Sequence, residues 1–98
     1  MPEQPHLYHF YGRECPWCIK MHPLVDRLEH ETKLKVVQLE VWHNEGNKKK
    51  LVEFADKIRP ACGGRLAVPA FYNTETGKAI CGAVDYETLN EWATEPVR

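Results

Sequence analysis

The chain has no excess of charge of either sign and no long apolar run. Its 98 residues carry 13 basic and 14 acidic side chains, and positive charge is clustered only at residues 48–50. Such a balance offers no basic face, so we expect no nucleic-acid partner. No apolar segment approaches the roughly 20 residues that cross a bilayer, and the N-terminal residues lack a cationic start followed by an apolar stretch. We therefore expect a cytoplasmic protein with no membrane partner.

The sequence also contains no repeat, no low-complexity stretch and no linker. Apolar residues make up 43% of the chain and aromatic residues 10%, which is enough for one compact core. We predict a single domain over residues 1–98 and expect a monomer. In a reducing cytosol, the 4 cysteines favour catalytic or metal-binding thiols over a structural disulfide framework.

The first half of the chain alternates between strand-like and helix-like patterns. Residues 7–11, LYHFY, form a short apolar and aromatic run that is typical of a strand buried on both faces. Pro16 suits the first position of a helix. The apolar spacing of one helical face follows at Met21, Leu24, Val25 and Leu28. A second strand is predicted over residues 33–42, and a second helix runs from about Glu45 until Pro60 closes it.

The last third of the chain predicts a hairpin followed by a helix. Residues 67–73 and 78–83 are short strand candidates, and Asn73 and Gly77 supply the turn between them. Asp85 is the predicted N-cap of the last helix. A helical connection makes the first two strands parallel, whereas the hairpin is antiparallel. The expected fold is therefore α/β, with a four-stranded mixed sheet flanked by helices in the order β-α-β-α-β-β-α.

Two cysteines open the first predicted helix, in the segment ECPWC at residues 14–18. If Cys15 is the N-cap and Cys18 lies in the first turn, the two side chains share a helix face and are close enough to bridge. The unpaired N–H groups and the positive end of the helix dipole favour a thiolate on Cys15. We predict that Cys15 is the nucleophile and that the more shielded Cys18 is the resolving thiol.

Zinc binding is an alternative interpretation of this motif. A structural zinc site needs four ligands, and the CxxC pair supplies two, so Cys62 and Cys81 or a histidine would have to complete it. Those two cysteines are isolated in the sequence, a pattern that favours small buried apolar groups. The placement of the CxxC motif between a strand and a helix favours dithiol chemistry.

Two long segments resemble the thioredoxin and glutaredoxin superfamily. Residues 10–29, FYGRECPWCIKMHPLVDRLE, are similar to its strand-to-helix segment with the redox cysteines. Residues 67–92, AVPAFYNTETGKAICGAVDYETLNEW, are similar to its cis-proline strand, hairpin and last helix. The resemblance implies a minimal, glutaredoxin-sized thioredoxin-like fold. It also implies a cis peptide bond before Pro69 and substrate binding by Val68, Pro69 and Gly82.

The same resemblance implies a dithiol-disulfide oxidoreductase that reduces protein disulfides or glutathione mixed disulfides. It would need no bound cofactor, and a thioredoxin reductase or glutathione would be the electron donor, with glutathione then acting as a co-substrate. Glutaredoxins commonly have a basic residue before the CxxC motif, and a glycine pair and an aspartate after the last strand. Arg13 and Asp85 match the charged positions, whereas Cys81 and Gly82 replace the glycine pair.

An iron-sulfur carrier is the alternative function. Some glutaredoxins hold a [2Fe-2S] cluster in a dimer with glutathione, and Cys15 would be the ligand in this chain. Pro16 disfavours this function, because family members with proline at that place generally act as reductases. Cys62 and Cys81 lie in segments that border the active site in this superfamily, so one of them could form an auxiliary disulfide or ligate a cluster.

His9 and Trp17 are the remaining candidates. His9 falls six residues before Cys15, where thioredoxins have a buried aspartate that handles the proton of the resolving thiol. A neutral imidazole with a pKa of about 6.5 can accept the Cys18 proton, so His9 is a candidate catalytic residue. The alternative is a hydrogen-bonded core histidine. Trp17 is expected to be exposed, where it would either contact substrate or cover the disulfide.

Overall fold

The computed structural model describes residues 6–95, so both ends of the predicted domain lie outside the described residues. The elements are β1 Leu7–Tyr11, α1 Pro16–Thr32, β2 Val36–Glu40, α2 Glu45–Glu53, α3 Ala55–Ile58, β3 Ala70–Asn73, β4 Lys78–Cys81 and α4 Tyr86–Thr94. A 3₁₀ turn at Arg59–Cys62 follows α3. No helix in this part of the chain combines the length and apolarity needed to cross a membrane.

The sheet has the strand order β2-β1-β3-β4. β1 pairs in parallel with β2 and antiparallel with β3, and β3 pairs antiparallel with β4. The prediction of an α/β fold with a four-stranded mixed sheet is therefore confirmed. The predicted start of α1 at Pro16 is confirmed as well, as is Asp85 as the N-cap of α4, where its carboxylate accepts the Thr88 N–H at 2.9 Å.

Helices cover both faces of the sheet. α1 and α4 pack on one face in a buried cluster that includes Leu7 and Phe71. α2 and α3 pack on the other face, where the buried cluster includes Phe10 and Ile58. Because β1 is covered on both faces, its side chains are apolar or aromatic in both directions, with His9 as the one polar ring. β1 therefore leads from the middle of the core directly to the CxxC motif.

The second helix differs from the prediction of one helix from about Glu45 to Pro60. The chain leaves the helical region at Phe54, which has φ −97° and ψ 12° and separates α2 from α3. The Phe54 ring lies 5.4 Å from the ring of Tyr8 and 4.7 Å from that of Tyr72. The break between α2 and α3 therefore lies where the Phe54 ring packs against two aromatic rings of the sheet. Pro60 lies in the 3₁₀ turn that follows α3.

The strands are shorter than predicted. β2 does not begin at Lys33, because that residue has φ +62° and caps the C-terminus of α1. β2 also ends at Glu40, two residues before the predicted end of the strand. β3 begins at Ala70, directly after the proline that the resemblance singled out, and β4 ends at Cys81. The residues before β3 and after β4 are thereby left as irregular segments near the start of α1.

Candidate active site

Cys15 lies at the junction between β1 and α1 and is the N-cap of the helix, with Pro16 at its first position. The Cys15 Sγ accepts the N–H of Cys18 at 3.2 Å. The first turn of a helix has N–H groups without intrahelical partners, so a sulfur at the cap satisfies one of them. The positive ends of this N–H dipole and of the helix dipole both point at the sulfur.

Cys18 lies one turn inside α1, and both cysteines are free thiols. Cys15 is 3% exposed and Cys18 is fully buried, which agrees with the predicted order of accessibility. Burial raises the pKa of the Cys18 thiol to about 12, and its contact with Cys15 adds to the shift. Cys18 is therefore a protonated thiol near neutral pH, and the assignment of Cys15 as the nucleophile stays a prediction.

The segment that enters β3 lies beside Cys15. The peptide bond between Val68 and Pro69 is cis, as predicted. The Val68 carbonyl oxygen is 4.0 Å from Cys15 Sγ, at the outer limit of an S–H···O contact. Gly82, with φ +90°, donates its N–H to the Pro69 carbonyl at 2.8 Å. The structure thus brings together Cys15, Val68, Pro69 and Gly82, four residues that the sequence singled out.

A carboxylate that sequence reasoning missed fixes the loop before the CxxC motif. Glu40 accepts the backbone N–H groups of Arg13 at 2.9 Å, Trp42 at 3.2 Å and His43 at 2.8 Å. The His43 ring lies 2.6 Å from the Glu14 carboxylate and holds the pKa of that carboxyl below its ordinary value. The sequence held one signal for this contact. Glu40 is an acidic residue at the end of β2, and β2 runs parallel to the strand that leads into the motif.

An apolar groove of about 350 Å³ ends at the cis-proline segment. Its lining is Val41, Trp42, Lys48, Leu51, Val52, Leu66, Ala67 and Val68. The Trp42 ring lies directly on Gly12, where an added Cβ would come within 2.1 Å of it. Only glycine therefore fits beneath this ring without a rearrangement. Trp42 and Val52 are each 53% exposed, so this groove presents apolar surface up to Val68, the neighbour of Cys15.

His9 is fully buried on the face of the sheet that α1 covers. Its ring stacks on Phe71 with centroids 4.4 Å apart and lies edge-on to His22 at 5.4 Å. Burial, with a smaller effect from His22, lowers the His9 pKa to about 3. Neither ring nitrogen has a hydrogen-bond partner of good geometry among residues 6–95, although the Gln38 side chain is near enough to offset part of the lowering of the pKa. The catalytic role of His9 stays a prediction.

Three other candidates lie at the surface. Trp17 is 56% exposed, and the Lys20 ammonium lies 4.7 Å from its ring centroid. Arg13 is exposed, with its Nε 3.3 Å from the Glu14 carboxylate. The carboxylate of Asp85 is occupied in capping α4. Their predicted contacts with substrate or glutathione stay predictions.

Cys62 and Cys81 form a disulfide, with Cα atoms 5.1 Å apart. The expectation of two small buried thiols is wrong for this pair, and the auxiliary disulfide that was left open is present. The 3₁₀ turn that ends at Cys62 lies against the end of β4, so the folded chain places the two sulfur atoms together. The bridge also uses two thiols that a four-ligand zinc site would need. Within the described residues, no group of three or more His, Cys, Asp and Glu side chains is arranged to hold a metal ion.

Comparisons with known proteins give structural neighbours only. No family model matches the sequence, and no curated protein matches it. The glutaredoxin grx-1 from Archaeoglobus fulgidus has a TM-score of 0.64 and 16% identity, over 93% of this chain and 88% of that one. A mutant thioredoxin from Halobacterium salinarum NRC-1 has a TM-score of 0.58 and 25% identity, over 94% of this chain and 76% of that one.

The geometry of the site and these neighbours agree. Paired cysteines at the junction of strand and helix, with a cis proline beside the first of them, support a thiol-disulfide oxidoreductase-like role. The two neighbours are a glutaredoxin and a thioredoxin, and each matches nearly the whole chain. The chain has the fold of the thioredoxin/glutaredoxin-like superfamily.

Proposed function

We propose that this protein is a dithiol-disulfide oxidoreductase that reduces protein disulfides through Cys15 and Cys18. The observation that carries the proposal is the position of Cys15 Sγ at the start of α1, 3.2 Å from the Cys18 N–H. A helix N-terminus that donates an N–H to sulfur stabilises the thiolate form. The raised pKa of Cys18 keeps the second thiol protonated until the first exchange has occurred.

The reaction consists of two thiol-disulfide exchanges. The Cys15 thiolate attacks one sulfur of the substrate disulfide, which forms a mixed disulfide and releases the other sulfur as a thiolate. Cys18 then loses its proton and attacks the Cys15 sulfur. This step releases the second substrate thiol and leaves a disulfide between Cys15 and Cys18. Two electrons have passed to the substrate, and a thioredoxin reductase or two glutathione molecules would restore the dithiol.

The surface around Cys15 favours a protein chain as the substrate. The exposed large apolar side chains of the described residues are Trp17, Ile19, Trp42 and Val52. The last two line the groove that ends at Val68. Arg13 and Asp85, which would contact glutathione, are engaged by Glu14 and by the α4 N-terminus. Glutathione mixed disulfides on proteins remain within this substrate class, because their protein part would contact the same surface.

An extended substrate segment would bind along the entrance to β3. Backbone pairing with Val68 would supply main-chain hydrogen bonds, as in other cases of strand addition. Pro69 and Gly82 would contact the chain beside its cysteine. The 4.0 Å separation between the Val68 oxygen and Cys15 Sγ supports this arrangement, since a chain bound there has its disulfide next to the nucleophile.

His9 would tune the second exchange without being indispensable. Its pKa of about 3 makes it a weak base towards a thiol whose pKa is about 12, so it is not a resting proton acceptor for Cys18. Any proton transfer from Cys18 to His9 must therefore take place during the attack of Cys18 on the mixed disulfide. Replacing His9 by leucine should then let the mixed disulfide accumulate while the attack by Cys15 is nearly unchanged. Turnover at the wild-type rate at about pH 6 to 8 would show that His9 only packs in the core.

An insulin-reduction assay tests the function. Two arms run in parallel, one with thioredoxin reductase and one with glutathione and glutathione reductase, with the Cys15→Ser variant as the control. We expect reduction in at least one arm and none with the variant. Failure in both arms, and with a chemical dithiol as donor, would refute the proposal.

The same preparation tests the cluster-carrier alternative. A visible absorption band after anaerobic purification would favour a [2Fe-2S] carrier held by Cys15. A colourless protein with two rapidly titrating thiols would favour the enzyme.

We further propose that the protein works as a cytoplasmic monomer. Size-exclusion chromatography of the reduced protein checks its oligomeric state.

A further inference from the structure

The Cys62–Cys81 disulfide has no part in the two exchange steps, yet it closes the stretch of chain that contains the substrate-facing segment. Its two cysteines are 19 positions apart, and residues 67–70 lie between them. Both cysteines are half-buried, so neither is sealed inside the core. The bridge therefore stands at the border of the candidate site and not inside the core.

The two sulfur centres lie at neighbouring carbonyl groups of one segment. Cys62 Sγ is 4.0 Å from the Ala67 carbonyl oxygen. Cys15 Sγ is 4.0 Å from the next carbonyl oxygen, that of Val68. A shift of Cys62 therefore acts on Ala67, the residue next to Val68, whose carbonyl group faces Cys15.

The other half of the bridge holds the far end of the same segment. Cys81 is the partner of Ala70 in the antiparallel pairing of β3 with β4. The next residue, Gly82, donates its N–H to the Pro69 carbonyl at 2.8 Å. The bridge thus ties the 3₁₀ turn that precedes the segment to the strand that holds its end.

The other restraints on the chain between the bridge and the segment are hydrogen bonds from the Gly63 and Gly64 N–H groups to the Arg59 carbonyl and two apolar contacts with the core. Gly63 and Gly64 have φ of +75° and +99°, and a side chain at either would meet open space. Residues 63–69 form neither helix nor strand. Leu66 and Val68 pack against the core, so loss of the bridge would loosen this stretch without unfolding it. Glycine has more backbone freedom than any other residue, which makes that loosening easy.

We propose that the Cys62–Cys81 disulfide is a second redox site, which in its oxidised form positions residues 67–70 for substrate binding. The proposal rests on the proposed function, since it assumes that this segment receives the substrate of Cys15. Cys62 and Cys81 are positioning residues in this account, because they act through the segment and do not touch the reacting sulfur atoms.

The redox step needs a monothiol of the glutathione type. One monothiolate attacks a sulfur of the bridge and forms a mixed disulfide, which frees the other cysteine as a thiolate. A second monothiolate attacks the sulfur of the bound monothiol. The two monothiols leave as their disulfide, and the cysteine that held the first one is released as a thiolate. Two electrons enter the protein, and protonation gives two thiols. The reverse reaction with the monothiol disulfide closes the bridge again.

The positioning part is tested by single-turnover trapping. The Cys18→Ser variant is compared with Cys18→Ser/Cys62→Ala/Cys81→Ala, and Cys18→Ser/Ala61→Ser is the matched control that keeps the bridge. Rate constants of mixed-disulfide formation are measured with a peptide disulfide and with bis(2-hydroxyethyl) disulfide. The ratio of the peptide constant to the small-molecule constant should fall about 5-fold or more when the bridge is removed. An unchanged ratio, whatever the absolute rates, overturns the proposal.

The redox part is tested on the wild-type protein in a series of glutathione to glutathione disulfide ratios. Free thiols are alkylated, and peptide masses report the state of Cys15 and of Cys62 at each ratio. We expect the bridge to open within the series. A bridge that stays closed after Cys15 is fully reduced overturns redox control. If Cys18→Ser forms no mixed disulfide with either substrate, the proposed function itself has failed, a different result from an unchanged ratio.

Discussion

The two cysteine pairs both border residues 67–70, but the chain brings them together in different ways. Cys15 and Cys18 lie three positions apart at the start of one helix and are free thiols. Cys62 and Cys81 lie 19 positions apart on different elements and are bridged. Local helix geometry joins the first pair, whereas the packing of the 3₁₀ turn against β4 joins the second.

The two pairs differ in what they do for the site: one bears on its chemistry and the other on the position of a chain segment. At the start of α1 the Cys15 Sγ accepts the Cys18 N–H, and burial raises the pKa of Cys18 to about 12. At the rim of the site, the bridge instead restrains a stretch of chain that contains two glycines. We infer that the helix start supplies the reactivity and that the bridge supplies the geometry of the segment facing it.

The largest expected effect separates the two pairs in catalysis. Cys15→Ser should lower the rate of insulin reduction by at least about 10³-fold, because no other thiolate occupies the helix start. Removal of the bridge by Cys62→Ala/Cys81→Ala should lower it by about 10-fold or less, since it only loosens the segment. Initial rates at one substrate concentration are sufficient for this measurement. Equal losses in the two variants would remove the distinction between reactivity and position.

A second prediction concerns acid stability of the core beside α1. The His9 pKa is lowered from 6.5 to about 3, so its neutral form stabilises the fold above about pH 6.5, and this contribution is lost as the pH falls towards 3. His9→Phe should remove this loss. The free energy of unfolding of the variant, taken relative to the wild type, should therefore be about 3 kcal/mol higher at pH 4 than at pH 7.

Urea unfolding at both pH values measures this effect. His30→Gln is the matched control, because His30 is exposed at the other end of α1. The control should follow the wild type at both pH values. If His9→Phe shows the same pH dependence as the wild type, the buried ring is not the acid-sensitive group.

A third prediction assigns global stability to the bridge and not to the dithiol. A cross-link over 19 positions restrains the unfolded chain, so Cys62→Ala/Cys81→Ala should lower the free energy of unfolding by about 3 kcal/mol. Cys15→Ser keeps an N-capping side chain and should change it by about 1 kcal/mol or less. Urea denaturation without reductant checks both values, and a larger effect of Cys15→Ser would reverse the assignment.

The smallest expected effect concerns the apolar groove. Trp42→Ala removes its exposed ring and should raise the KM for insulin about 5-fold, because apolar contact with the substrate chain is lost. The KM for bis(2-hydroxyethyl) disulfide is the internal control, since this small molecule does not extend into the groove. Equal increases for both substrates would show that Trp42 supports the loop at Gly12 and does not bind substrate.

The sequence predicted the parts of the site that depend on local geometry. The N-cap at Cys15, the helix start at Pro16 and the Asp85 cap each follow from the preferences of a few adjacent residues. The cis bond at Pro69 came from a resemblance that spans the following hairpin and last helix. These features need no knowledge of which elements pack together.

Features that depend on packing were missed or only left open. The break at Phe54 coincides with aromatic contacts to two strands that lie elsewhere in the chain. The hydrogen bond from the Arg13 N–H to Glu40 requires β2 to lie beside the loop that follows β1. The pairing of Cys62 with Cys81 requires the 3₁₀ turn to meet β4. In each case the partner is fixed by tertiary structure, so spacing along the chain carries no signal.

The most direct test of the central claim is the order in which the two thiols of the dithiol react. The reduced wild-type protein is treated briefly with iodoacetamide at about pH 6, and the labelled peptides are identified by mass. The account predicts that Cys15 is alkylated first, while Cys18, a buried thiol with a pKa of about 12, remains unlabelled. Label on Cys18 before Cys15 would contradict the assignment of Cys15 as the nucleophile.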